Sequence, residues 1–260
     1  MTSTERGRRK YDALADRYEE IYFYVADLGR RLIEFVDPAP GTRVLDVGAG
    51  RGAVARAALA RGCLVTAVDA SAGMVAHLAA DYPELTVHQM DAGRLDFPSG
   101  SFDLVTAGFV IQIMTDPAVV LTELRRVLTP TGAIALSLET QDVGRMAWLE
   151  DLSVEFFAGG RRPPEPTRGP LIHDQLDDLL DASGFVGITR TSVRMPQPIP
   201  DPPALWAWLA PRGLADAVGG LPAERAEEFH RRFLAAAGEM QADGGITLDF
   251  AATLHRATVG

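Results

Sequence analysis

The sequence predicts an α/β fold in which helices wind over both faces of a mostly parallel sheet. Three observations carry that expectation. The run Val44-Leu45-Asp46-Val47-Gly48-Ala49-Gly50-Arg51-Gly52 joins an apolar strand to a glycine-rich turn and leads into a helix, as in the first βα unit of a doubly wound sheet. Short apolar segments then alternate with helix-period segments as far as Leu138. The 260 residues, 47% of them hydrophobic, are enough for one substantial core.

At the N-terminus, Tyr11, Leu14, Tyr18, Ile21, Tyr22, Val25, Leu28, Leu32, Phe35 and Val36 recur at helical spacing. They predict a helical cap over residues 1–40, ended by Pro38 and Pro40. Arg43–Val47 is expected as a strand, Ala53–Ala60 as an alanine-rich helix, and Leu64–Asp69 as the second strand. Ser71 is placed to cap a helix running to Asp81. Leu85–Met90 is the third strand, and Phe102–Ala107, beyond the Pro98-Ser99-Gly100 turn, is the fourth. The next helix opens with Asp116 as cap and Pro117 at its first position, and Arg125 and Arg126 complement the dipole at its end. After a break at Thr129-Pro130-Thr131-Gly132, Ala133–Leu138 forms strand five.

The C-terminal half is less regular. Asp174–Ala182, with Gly184 behind it, predicts a helix, Val186–Val193 strand six, and Ile246–Val259 the last strand. Residues 139–171 and 196–245 interrupt this core. The second stretch holds helix-period segments at Leu205–Leu209 and Arg225–Met240, after a stiff proline-rich connector at Pro196–Pro203. With strand six parallel to the others, both stretches leave the sheet at the carboxyl ends of strands, the face that binds ligands in open α/β sheets. They are expected to form, with the N-terminal cap, a lid over an acceptor pocket within a single domain spanning residues 1–260. Met146, Trp148, Phe156, Phe157, Trp206 and Trp208 would line that lid or pack its core. Padding of the fold or a dimer surface is the alternative.

Thirty-five acidic against 25 basic residues give a net charge of −10, which argues against nucleic acid or another polyanion as partner and for a small molecule. Met1–Lys10 is polar and basic with no apolar region behind it, and no apolar run reaches membrane-spanning length. A cytoplasmic protein with no membrane contact is expected, as monomer or homodimer. The one cysteine, Cys63, excludes an intramolecular disulfide and fits a small buried hydrophobe entering a strand.

Gly48-x-Gly50-x-x-Ala53 with Asp69 downstream also satisfies the permissive dinucleotide fingerprint, so a nicotinamide or flavin enzyme is a competing reading. Three features favour a cofactor carrying an ammonium and a sulfonium. Asp46, expected at the mouth of the site, would repel a pyrophosphate. The glycines also fit G-x-G-x-G. Gln89-Met90-Asp91-Ala92 closes the third strand, and an Asp there can accept a hydrogen bond from an adenine amino group.

On these residues the chain resembles the class I S-adenosylmethionine-dependent methyltransferases, in the small-molecule branch of ubiquinone/menaquinone-type and natural-product enzymes. The resemblance runs from Tyr11 to Leu138. It implies a Rossmann-like, doubly wound, mostly parallel seven-stranded sheet with an antiparallel last strand, plus helical lid elements, and S-adenosyl-L-methionine as cofactor. By the same resemblance Gly48, Ala49 and Gly50 lie against the methionine moiety and Asp69 takes the ribose hydroxyls. Ala70 and Met74 flank the adenine, Asp91 and Ala92 read its edge, and Phe109 lies near the sulfonium or the methionine tail. Tyr11 and Tyr18, in Tyr-Asp-x-x-Ala-x-x-Tyr, correspond to an N-terminal lid over the cofactor. The chain departs from the family in having Pro130-Thr131-Gly132 where Pro-Gly-Gly is usual. Asp201-Pro202-Pro203-Ala204 superficially matches the Asp-Pro-Pro-Tyr motif of adenine methyltransferases, but lacks the aromatic residue and falls after strand six.

Methyl transfer from a sulfonium is an in-line displacement with a neutral thioether leaving, so it depends on alignment and on exclusion of water. A base is needed only for a protonated nucleophile. His173, Gln112 and Tyr18 are the catalytic candidates; His77, His88, His230 and His255 sit where structural or solvated roles are expected. No compact carboxylate or histidine cluster suggests a metal. The same cofactor fold could also serve binding or cyclisation without methyl transfer.

Overall fold

The computed structural model describes residues 3–140, 144–157 and 173–260. The chain divides into two compact units, one of Met1–Thr140, Pro170–Val193 and Ala252–Gly260, the other of Gln141–Gly169 and Arg194–Ala251. The strands are β1 (Arg43–Val47), β2 (Leu64–Asp69), β3 (Thr86–Gln89), β4 (Phe102–Gly108), β5 (Leu128–Thr140), β6 (Phe185–Ile199) and β7 (Ile246–Val259). They form one seven-stranded sheet in the order β3-β2-β1-β4-β5-β7-β6. β1 runs parallel to β2 and β4, β2 to β3, and β4 to β5. Gly260 N–H donates to Gly184 O at 3.0 Å and Thr258 Oγ1 to Val186 O at 3.3 Å, so β7 ends where β6 begins and runs antiparallel to it. The strand order reverses between β1 and β4, which opens a crevice at their carboxyl ends.

In the first unit α1 (Ser3–Leu14), α2 (Tyr18–Ile21) and α3 (Val25–Val36) precede the sheet. α4 (Ala53–Ala60), α5 (Ala72–Asp81), α6 (Pro117–Val127) and α8 (His173–Ala182) pack the sheet's flanks. The caps form as the sequence predicts. Ser71 Oγ accepts from Met74 N–H at 3.2 Å, and Asp116 from Val119 N–H at 3.3 Å with Pro117 at the first turn. Leu45, Val105, Ile134 and Leu136 from the strands meet Leu121 and Leu124 of α6 and Leu176 and Leu180 of α8, all buried. Burial of each such side chain contributes about 1.5–3 kcal/mol. Cys63 is buried, as expected of a structural thiol.

Three elements differ from expectation. The N-terminal cap is not one helix: a 3₁₀ turn at Ala15–Arg17 and a bend after α2 divide it. Tyr22 and Tyr24 both face one cavity, and residues two apart cannot share a helical face, so the helix must break between them. The Thr129–Gly132 break lies inside β5, where the pairing with β4 slips from Phe102↔Leu128 to Leu104↔Ala133 and a bulge absorbs the extra residues. β6 continues through Pro196 and Pro198 to Ile199 instead of giving way to a connector.

The second unit contains α7 (Ala147–Phe157), α9 (Pro202–Leu209), α10 (Leu214–Gly219) and α11 (Ala223–Ala242). Asp201 Oδ1 accepts from Ala204 N–H at 2.8 Å, so the Asp-Pro-Pro run is a helix start. Phe229 and Phe233 of α11 are fully buried. Phe156, Trp148 and Trp206 pack on them with ring centroids 5.1–5.4 Å apart at steep angles. Phe157 and Met146 belong to the same cluster, and Trp208 packs edge-on to Phe250. The aromatic residues of this unit therefore build its own core.

Candidate functional site

A cavity of about 290 Å³ opens at the carboxyl ends of the parallel strands, and every residue lining it belongs to the first unit. One wall is the loop after β1. Gly48 and Gly50 have φ of +64° and +54°, a conformation that favours glycine, and a Cβ built at Gly48 would come within 2.5 Å of Val110 Cγ2. Asp69, at the end of β2, joins this loop to α5. One carboxylate oxygen accepts from Gly50 N–H at 2.9 Å, the other from Ser71 N–H at 2.8 Å. Burial raises its pKa, and those backbone donors oppose the rise. Each oxygen keeps a second lone pair for a ligand hydroxyl.

Ala70, Met74, Asp91 and Ala92 continue this wall. Gln89 holds the Ala70 carbonyl at 3.0 Å, and Asp91 accepts from Gly93 N–H at 2.8 Å in the turn after β3. Phe109, just past β4, lines the cavity with φ +58°, an uncommon conformation for a bulky residue. Its N–H donates to Ser137 Oγ at 3.0 Å, which holds the strained turn in place.

Aromatic rings from the N-terminal helices cover the other side. Centroids of Tyr11 and Tyr18 lie 6.4 Å apart, Tyr18 and Tyr22 4.9 Å, Tyr22 and Tyr24 6.4 Å, and Tyr24 and Phe109 6.3 Å. The chain of rings suits a cationic or flat ligand. Burial, with neighbouring Tyr22, Asp69 and Glu139, pushes the Tyr11 phenol up to about 12. Tyr18 is raised further, chiefly by burial. Tyr18 therefore stays protonated near neutrality and cannot be the phenolate base; it can donate a hydrogen bond or present its ring.

Asp46 and Ala49 are not where the sequence suggests. Strand alternation turns Asp46 away from the cavity and under α4, where it is 1% exposed and accepts from Ala55 N–H at 3.0 Å. Burial pushes its pKa up to about 7. It cannot act as a charge at the mouth, so cofactor choice rests on Asp69 and Asp91. Ala49 is buried, its N–H donating to Val68 O at 3.0 Å, and with Asp46 it borders a smaller cavity behind the loop. Tyr11, Tyr18, Gly48, Gly50, Asp69, Ala70, Met74, Asp91, Ala92, Phe109 and Gln112 all line the main cavity. His173 opens α8, and its side chain lies outside the described residues.

Tyr24, Tyr22 and Glu139 line the cavity without having been singled out from sequence. Glu139 lies near the carboxyl end of β5, as Asp69 ends β2, and that strand-end position is the signal that could have found it. The other histidines have structural partners: His77 pairs with Asp16 at 2.8 Å, His255 with Asp177 at 2.9 Å, and His88 and His230 pack against Phe97 and Trp206. Among the described residues no group of three His, Cys, Asp or Glu could hold a metal, and no helix is long and apolar enough to cross a membrane.

Residues 45–136 match the methyltransferase-domain family. The chain is 31% identical over 227 residues to a nocamycin O-methyltransferase of Saccharothrix syringae, covering 78% of this chain and 81% of the relative. It is 35% identical over 192 residues to a malonyl-[acyl-carrier protein] O-methyltransferase of Halorhodospira halophila, covering 69% of this chain and 61% of that relative. The crystal structure of YcgJ protein from Bacillus subtilis superposes with a TM-score of 0.58 at 19% identity, over 90% of this chain and 98% of the other, a likeness of fold. With its glycine loop, strand-end carboxylates and ring-lined cavity, the chain belongs to the S-adenosylmethionine-dependent methyltransferases that act on small molecules.

Proposed function

We propose that the cavity holds S-adenosylmethionine along its Asp91–Asp69–Gly48 wall and a flat organic acceptor at its Tyr22–Tyr24–Gln112 end, with oxygen as the methylated atom. The observation that carries this reading is the continuity of one cavity between the two groups of residues. Bound there, the cofactor supplies an electrophilic methyl group. Asp69 is suited to the ribose hydroxyls, Asp91 and the Ala92 N–H to the adenine edge, and the glycine loop to the methionine moiety. Tyr11 and Tyr18 exclude water and present aromatic faces to the sulfonium. The O-methyltransferase relatives support oxygen as the acceptor atom, and the nocamycin enzyme supports a place in secondary metabolism.

Calorimetric titration with S-adenosylhomocysteine tests the cofactor half. We expect D69A to weaken binding by more than about tenfold, equivalent to about 1.4 kcal/mol; undetectable binding by the wild type would overturn the assignment. Mass spectrometry of a panel of phenols, acids and amines after incubation with S-adenosylmethionine tests the transfer. Cofactor binding with no methyl gain on any acceptor would favour a non-methylating use of the fold.

A further inference from the structure

Four residues of the cavity lining, from the start of α3, β5 and the turn after β4, meet one another. Glu139 Oε1 accepts from the Tyr24 hydroxyl at 3.4 Å, and Glu139 N–H donates to Gln112 Oε1 at 2.8 Å. The Tyr24 ring lies 6.3 Å from that of Phe109. All four line the same cavity. The Gln112 carbonyl is held by backbone, so its amide NH₂ is the group left for a ligand and can only donate. The Glu139 carboxylate can only accept. A hydroxyl is a ligand group that donates to one and accepts from the other. A carboxylate ligand would leave Glu139 without a proton to accept and would bring two like charges together.

Two basic side chains line the cavity, Arg8 and Lys10, but they are placed on α1. Arg8 helps hold the Asp12 carboxyl below its usual range, and Asp12 bonds to Ser71 and Gly73 at the start of α5. Arg8 is thereby assigned to the Asp69 side. The Lys10 ammonium lies 5.6 Å from the centre of the Tyr11 ring.

We propose that Glu139 is the proton acceptor in methyl transfer, and that the acceptor is a phenol or enol rather than a carboxylic acid. This rests on the methyl-transfer reading of the cavity. In the step, the acceptor oxygen forms a bond to the methyl carbon as its O–H proton passes to a Glu139 oxygen. The electron pair of the breaking carbon–sulfur bond stays on sulfur, giving a neutral thioether. Gln112 donates to the same acceptor oxygen and sets its line of attack; Tyr24 holds the Glu139 carboxylate in place. A positioned general base contributes about 10²–10⁴-fold to such a step.

The test uses 2-naphthol and 2-naphthoate as matched probes with the full chain. With S-adenosylhomocysteine bound, the wild type is expected to bind 2-naphthol about tenfold or more tightly than 2-naphthoate, a difference of about 1.4 kcal/mol. With S-adenosylmethionine it is expected to methylate 2-naphthol and not 2-naphthoate. E139Q should keep its affinity for S-adenosylhomocysteine, which shows that the fold is intact, while losing the preference for naphthol and slowing its methylation by about 10²-fold or more. Equal or tighter binding of 2-naphthoate, no methylation of 2-naphthol by the wild type, or an unchanged rate in E139Q overturns the proposal. Failure of the wild type to bind S-adenosylhomocysteine at all overturns instead the reading of the cavity on which it rests.

Discussion

Thr106 Oγ1, on β4, donates a hydrogen bond of 2.8 Å to Asp46 on the adjacent β1, and both side chains are fully enclosed. The second Asp46 oxygen takes the Ala55 N–H, so one carboxyl group ties two strands to α4 directly beneath the glycine loop. Burial moves its pKa from 3.8 to about 7 in the folded chain. The folded state therefore holds a proton that the unfolded state releases above about pH 4, the ordinary Asp range, and stability falls as pH rises from there to about 7. D46N can still accept from Ala55 and donate to the rotatable Thr106 hydroxyl, but does not titrate. We expect wild type and D46N to have similar unfolding temperatures near pH 4.5, with D46N gaining on the wild type by pH 8. Parallel curves across that range would show that Asp46 carries no such burden.

Gly48 and Gly100 separate two costs of replacing a glycine. Both have positive φ, +64° and +72°, but a methyl group at Gly100 meets nothing within 4 Å, whereas at Gly48 it overlaps Val110. G100A should cost only the left-handed conformation, about 1 kcal/mol, or roughly 2–4 °C in unfolding temperature for a chain of this size. G48A should cost clearly more and should also lose S-adenosylhomocysteine binding, because the loop must shift to relieve the overlap. Equal thermal shifts for the two variants would mean that Val110 yields and that the close approach is unimportant.

The parts of this architecture that were legible in sequence are those set by near neighbours. The β1–loop–α4 run, the Ser71 and Asp116 caps and the acidic residues at strand ends depend on spacing within a few residues, and they stand where the pattern puts them. Asp46 misled because a carboxylate two residues before a glycine loop suggests a site, while the pleat of β1 points it at α4. Pro196 and Pro198 signal a connector in sequence, yet β6 runs through both. The strand lies at the sheet edge, where one side pairs with no neighbour and prolines are tolerated. Glu139 and Tyr24 were missed because 115 residues separate them, and no local pattern encodes their meeting.

Asp12 fixes the N-terminal cover to the cofactor side of the cavity. Its Oδ1 accepts from Ser71 Oγ at 2.5 Å and from Gly73 N–H at 3.1 Å, placing a negative charge at the N-terminal end of α5, where the helix dipole favours it. Those hydrogen bonds, led by Ser71, hold its pKa below the ordinary value, so the latch stays charged at neutral pH. Asp16 to His77 at 2.8 Å and Arg51 to the Ala15 carbonyl at 3.1 Å extend the attachment. Arg8, Arg9 and Lys10 on α1 are exposed. We expect D12A to be cut by trypsin after these residues several-fold faster than the wild type and to release S-adenosylhomocysteine faster in stopped-flow. The global unfolding temperature should move by only about 2–4 °C, because a partly exposed hydrogen bond contributes about 1 kcal/mol. Identical cleavage and release rates would show that α1 is held by its apolar contacts alone and that Asp12 is a helix cap without a part in retaining the cofactor.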